Sequence, residues 1–161
     1  MSAGAPGHRK EYLQQVKHKI ASYCAYRERC SSEVREKLAT YECQPDEIDE
    51  LLKLLKVDGF LNDERYCQTF ARDKLRQNKW GKIKIRQYLE QKQLDSDLID
   101  QGLDSIPMDE YLALLDDLVQ KKYPTVKADN PYVRGHKTAQ SIVRKGYEPD
   151  LVWSAIKALQ H

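Results

Sequence analysis

The sequence predicts an all-α fold of three tandem three-helix repeats laid out as an elongated, curved array. Three observations lead there. Apolar residues recur at helical spacing, the same apolar pattern returns twice further along the chain, and glycine and proline are sparse, 7 and 6 of 161 residues, unlike a turn-rich β-sandwich.

The repeat emerges when residues 34–55, 85–106 and 138–159 are placed in register. Leu38, Leu89 and Ile142 then coincide, followed by Ile48, Ile99 and Val152, by Leu52, Leu103 and Ile156, and by Leu55, Ile106 and Leu159. The acidic Asp46, Asp97 and Asp150 align as well, and the period is 51 and then 53 residues, within the range of helical repeats. Each copy closes on apolar residues at i, i+4 and i+7, which form one stripe on a helix and would scatter over both faces of a strand.

Each unit opens with a long helix. Its apolar side carries Leu13, Val16, Ile20 and Cys24 in the first copy, Tyr66, Phe70 and Ala71 in the second, and Leu112, Leu115 and Val119 in the third. The second helix begins after Gly81 in the middle copy and carries Ile85, Tyr88 and Leu89; in the last copy it ends towards Gly146, a C′ glycine following Arg144 and Lys145. The third helix starts at Pro45 and Pro149, where a missing N–H costs nothing, and Asp95 is placed to cap its counterpart in the middle copy. Residues 123–131, with two prolines, read as a loop, and residues 1–8 as a frayed tail. The expected boundaries are a tail at 1–8 and repeats at 9–61, 62–106 and 107–161. Short helices cannot bury their stripes alone, so neighbouring units should stack.

Several functional classes find no support. No run approaches the roughly 20 apolar residues of a membrane span, and no apolar signal core opens the sequence, so a cytoplasmic protein is expected. Cys24, Cys30, Cys43 and Cys67 are widely spaced without histidines at zinc-ligand distance, which points to reduced buried thiols rather than a metal or redox site. No phosphate loop or dinucleotide fingerprint is present, and His8, His18, His136 and His161 lack a motif-placed nucleophile or carboxylate. Neither catalysis nor a cofactor is expected.

Charge is unevenly distributed. Residues 72–92 hold eight cations (Arg72, Lys74, Arg76, Lys79, Lys82, Lys84, Arg86, Lys92) against Asp73 and Glu90, residues 95–117 hold eight acids and no cation, and residues 121–145 are basic again. Arg65, Arg72, Arg76 and Lys79 fall within about 60° of one another on a helix projection, opposite Tyr66, Phe70 and Ala71. Lys82 and Arg86, one turn apart, continue the positive character. Such a stripe is either a solvated helix face or a contact for a charged partner. Trp80, beside Lys79 and Gly81, suits an interhelical corner better than a base-stacking platform.

The residues also carry a resemblance. Asn62-Asp63-Glu64-Arg65-Tyr66-Cys67-Gln68-Thr69-Phe70 resembles the D-[DE]-x-R-[FY]-A motif that opens the central repeat of the RecX family. Lys79-Trp80-Gly81-Lys82-Ile83-Lys84-Ile85 is similar to that family's basic K-x-G-x-x-x-I segment. Upstream, residues 26–38 resemble R-x-R-S-x-x-E-[LV]-x-x-K-L, and Arg144-Lys145-Gly146-Tyr147 resembles R-[RK]-G-[FY]. The likeness runs from about Leu13 to Leu159. Cys30 stands in place of a capping serine, leaving Ser31 or Ser32 to cap a shifted start; Cys67 replaces an alanine, Asn62 an aspartate and Gln93 a repeat-ending glycine.

This resemblance implies a regulator that binds the RecA filament on single-stranded DNA; a monomer is expected. It would limit filament growth, ATP hydrolysis, strand exchange and the co-protease activity of the SOS response, in DNA repair and recombination. Two other readings stay open. A general DNA-binding helical module, on single- or double-stranded DNA, would show filament-independent affinity that weakens steeply with salt; a helical adaptor for another protein would not affect RecA. From charge and helical phase, the expected central contact surface is Arg65, Arg72, Arg76, Lys79, Lys82 and Arg86, with Lys137, Arg144 and Lys145 as a second.

Overall fold

The computed structural model describes residues 6–160, and among these every regular element is a helix. In order they are α1 (Pro6–Tyr26), α2 (Ser31–Thr40), α3 (Pro45–Val57), α4 (Asp63–Asn78), α5 (Lys82–Gln91), α6 (Ser96–Asp104), α7 (Met108–Lys122), a 3₁₀ turn at Tyr123–Thr125, α8 (Pro131–Val143) and α9 (Pro149–Gln160). They form three successive triplets. Residues 6–8 of the expected tail belong to α1, while residues 1–5 lie outside the described residues. The expected loop at 123–131 opens with the 3₁₀ turn and closes where Pro131 begins α8.

Helix starts are encoded locally. Pro45 and Pro149 occupy the first helical positions of α3 and α9. The Gln44 N–H donates to Glu47 Oε1 at 2.8 Å, and Asn62 and Asn130 accept from the N–H of Arg65 and Val133 at 2.9 Å each, satisfying amide donors that the first helical turn leaves unpaired. Asp95 holds the cap position of α6 but makes no side-chain cap bond. The expected shift of α2 does not occur: Cys30 itself is the cap, its N–H donating to Glu33 Oε1 at 3.2 Å. Ser31 is engaged elsewhere, its N–H and Oγ donating to the Asp63 carboxylate at 2.8 and 2.6 Å.

The chain divides into two compact units. The first extends to Tyr66 and takes in Lys92–Leu94; the second comprises Cys67–Gln91 and the chain from Asp95 onward. The division falls inside α4. The first turn of this helix is tied to the start of α2, through Asp63 to Ser31 and through a hydrogen bond between Tyr66 and Glu33.

In the first unit Val16, Ile20 and Cys24 of α1 pack with Val34 and Leu38 of α2 and with Leu51, Leu52 and Leu55 of α3. In the second, α5 packs on α6, and α7, α8 and α9 pack on one another. Of the repeat positions, Leu38, Leu89 and Ile142 are all buried, as are Leu52, Leu103 and Ile156, each contributing about 1.5–3 kcal/mol of apolar transfer free energy. Leu159 departs from its buried counterparts Leu55 and Ile106 and is exposed. On α7 the buried stripe is led by Tyr111 rather than Leu112, continuing through Leu115 and Val119. All four cysteines are buried free thiols.

One backbone feature recurs with the repeat. Glu42, Gln93 and Gly146, separated by the same 51 and 53 residues as the apolar positions, all adopt left-handed backbone, with φ of 60°, 60° and 100°. Each lies in the turn after the second helix of its triplet, and Gly146 sits beyond the C′ position expected for it. Only in the third copy does the residue type suit that conformation without steric cost.

Candidate functional site

The second unit joins two basic segments that lie far apart in sequence. The Gly81 N–H donates to the Lys145 carbonyl at 2.8 Å, and the Ile83 N–H to the Gly146 carbonyl at 2.9 Å. The stretch containing Lys79, Lys82 and Arg86 therefore lies against the turn containing Arg144 and Lys145, so one part of each expected surface meets the other along this seam.

Two tyrosines lock this seam. Tyr111, buried, donates from its hydroxyl to Glu148 Oε1 at 2.5 Å and accepts the Lys82 N–H at 3.0 Å. Tyr147, also buried, stacks on Tyr111 with ring centroids 5.3 Å apart and donates to the Lys79 carbonyl at 3.1 Å. Burial pushes both phenols well above their ordinary range, with the Glu148 carboxylate adding to the effect, so both remain protonated donors at neutral pH. The Lys82 ammonium lies 4.8 Å from the Tyr111 ring centroid. Sequence reasoning missed Tyr111 as an organising residue. The signal was present, since a tyrosine four residues before Leu115 shares its buried phase and must find a partner for its hydroxyl.

Not all the expected cations stand free. Arg76 forms a two-pronged pair with Glu110 at 2.7 and 3.1 Å, Arg86 pairs with Asp100 at 2.6 Å, and Arg65 pairs with Glu28 at 2.7 Å. Arg65 belongs to the first unit and the others to the second. Basic and acidic blocks that are separate in sequence are thus interleaved in space, because packing α5 on α6 sets Arg86 beside Asp100 and the start of α7 presents Glu110 to Arg76. The pairing raises the Arg76 pKa and lowers that of Glu110, chiefly through their hydrogen bonds. Lys79 is not on the helical stripe: α4 ends at Asn78, and Lys79 takes a left-handed φ of 59° while its ammonium donates back to the Arg76 carbonyl at 2.9 Å.

Arg72 donates to the Gln68 carbonyl at 3.3 Å, and Lys137 to the Lys127 carbonyl at 3.2 Å. Among the described residues, neither these two nor Lys79, Lys82, Arg144 and Lys145 form an ion pair, which leaves their charge available to a partner. Trp80 is a packing residue. The Lys74 and Lys84 ammonium groups lie 5.0 and 4.6 Å from its ring centroid, and Phe70 and Tyr88 flank it at 6.4 and 4.5 Å. Arg29, from the upstream motif, is buried with its guanidinium 3.8 Å from the centroid of Tyr23. Among the described residues no cluster of three or more His, Cys, Asp or Glu has metal-binding geometry, and no helix is long and apolar enough to cross a membrane.

Comparison with known proteins bears directly on this architecture. Residues 17–55 match the model of the first RecX three-helix domain, residues 62–103 the second and residues 109–156 the third. The chain belongs to the RecX family. Relatives named regulatory protein RecX include one from Oceanobacillus iheyensis, 24% identical over 93% of this chain and 55% of its own length. Another, from Clostridium beijerinckii, is 32% identical over 78% of this chain and 59% of its own. The chain thus spans somewhat over half the length of these RecX relatives. Crystal structures share the fold. RecX from Lactobacillus salivarius superposes with a TM-score of 0.87 at 21% identity, covering 94% of this chain and 98% of that one. A second RecX crystal structure gives 0.82 at 21% identity, covering 94% and 75%.

Proposed function

We propose that this chain is a RecX-type regulator that binds the RecA filament assembled on single-stranded DNA and limits its growth. ATP hydrolysis, strand exchange and co-protease activity in the SOS response then fall as consequences, in the cytosol and without catalysis by the chain itself. The observation carrying this reading is the matching of all three family domains in order on one chain, with a seam between the second and third that gathers unpaired cations.

Binding acts through differential affinity for filament states, with no bond made or broken. Arg72, Lys79, Lys82, Lys137, Arg144 and Lys145 are the side chains free to meet acidic surface or phosphate. Arg65, Arg76 and Arg86 contribute chiefly by holding local structure, because exchanging an existing carboxylate for a new one gains little. The test is RecA-driven ATP hydrolysis on single-stranded DNA with increasing amounts of the full chain as a monomer. A falling rate is expected; an unchanged rate at excess overturns the proposal.

A further inference from the structure

We propose that the face formed by α8 and α9 is a stacking site for the bases of single-stranded nucleic acid, with Tyr132 as the outer platform and Lys137 as a phosphate contact. Tyr132, in the first turn of α8, is 73% exposed. Its ring is followed by His136 at 4.5 Å between centroids, and His136 by Trp153 of α9 at 4.8 Å. The three rings form a row along a groove of about 430 Å³ whose other walls include Val133, Gln140 and Pro149.

The surroundings select the occupant. Lys137 lines this groove and also a neighbouring cleft that contains Lys127 and Arg134. Residues 121–137 hold five cations against the single acid Asp129, although Lys121 is paired with Asp117 at 2.9 Å. A cationic ligand is disfavoured there, and an uncharged apolar segment would leave the cations unused. An anionic strand with flat unsaturated bases satisfies both features, since bases stack on aromatic faces while phosphates meet lysine and arginine. Trp80 differs: its half-buried ring is flanked by two ammonium groups and two other rings, whereas Tyr132 has a single ring partner, His136, among the described residues.

The site shares Lys137 with the filament reading but does not rest on it, and it is tested without RecA. Fluorescence anisotropy of the full chain is measured with a fluorescein-labelled 15-mer of dT and with an abasic 15-mer of equal charge. Tighter binding of the dT strand, by about fivefold or more, is expected. Combined Tyr132→Ala and His136→Ala should abolish that preference while leaving residual salt-dependent affinity, and Tyr132→Phe should keep it. Lys137→Ala should reduce the slope of log affinity against log salt by roughly 0.7. Equal affinity of the unaltered chain for the two strands overturns the proposal, and that comparison does not depend on any variant folding. So does displacement of the dT strand by poly-L-glutamate as readily as by unlabelled dT, which would mark the face as one for acidic peptides.

Discussion

Gly81 meets Gly146 backbone to backbone, at the point where the start of α5 rests on the turn after α8. A Cβ built on Gly81 would collide with the carbonyl group of Gly146 and with the Tyr147 nitrogen, and one built on Gly146 would collide with Lys84. Since the obstructing atoms at Gly81 are main chain, no side-chain rotation relieves the clash. Gly81→Ala should therefore destabilise the chain by about 1–3 kcal/mol, read as a lower urea midpoint. Gly146→Ala should cost more, because its φ of 100° adds backbone strain. Unaltered stability in both variants would show that the seam does not form in solution.

Tyr111→Phe removes the hydroxyl that joins Lys82 to Glu148. The Lys82 N–H and the Glu148 carboxylate then each lose a partner while ring packing is kept. A loss of roughly 1–3 kcal/mol is expected, with faster exchange of the Lys82 amide hydrogen than in the unaltered chain.

Gln93 and Glu42 adopt the conformation that Gly146 adopts without a Cβ. Replacing either by glycine should relieve steric cost and raise stability by about 1 kcal/mol. Thermal unfolding of Gln93→Gly and Glu42→Gly checks this. A fall in midpoint in both variants would count against the left-handed turn.

Charge reversal should separate partner contacts from structural pairs. Arg72→Glu combined with Lys145→Glu changes cations that form no ion pair among the described residues. It should therefore leave the fold intact, as judged by circular dichroism, while weakening the proposed inhibition of RecA ATP hydrolysis about tenfold or more. Arg86→Glu should instead lower stability through repulsion with Asp100, its partner at 2.6 Å. Normal inhibition by the folded double variant would remove this surface from the mechanism.

Acid should loosen the first unit. Arg9 holds Glu47 through two hydrogen bonds, at 2.9 and 2.5 Å, and the Gln44 N–H adds a third. The Arg9 bond is the main cause of a Glu47 pKa below its ordinary value of 4.5. A depressed carboxylate pKa means that the stabilisation is complete above the unfolded value and disappears as pH falls through the folded one. Glu47→Gln should flatten that part of the stability profile, and Arg9→Ala should do likewise. A profile unchanged in both variants would remove the pair from the acid response.

Helical type, the threefold repeat and most buried positions were legible in the sequence because each is set by local periodicity. Leu38, Leu89 and Ile142 face inward for the same reason that they align, a shared helical phase relative to the same neighbours. Helix starts at Pro45, Pro149 and after Gly81 follow from the backbone preferences of single residues. The contact surface was less legible. Arg65, Arg72, Arg76 and Lys79 share a projected helix face, yet α4 ends before Lys79, and Glu28 and Glu110 neutralise two of the four.

The chain by itself thus determined three copies of an amphipathic helical triplet, since period and propensity act within a few residues. Tertiary structure alone decided which charges remain unpaired, how Gly81 comes to lie on Gly146, and that the Tyr111 hydroxyl closes between Lys82 and Glu148. Those outcomes depend on groups 14 to 65 residues apart. Their meeting is governed by packing of whole helices, to which local pattern is blind.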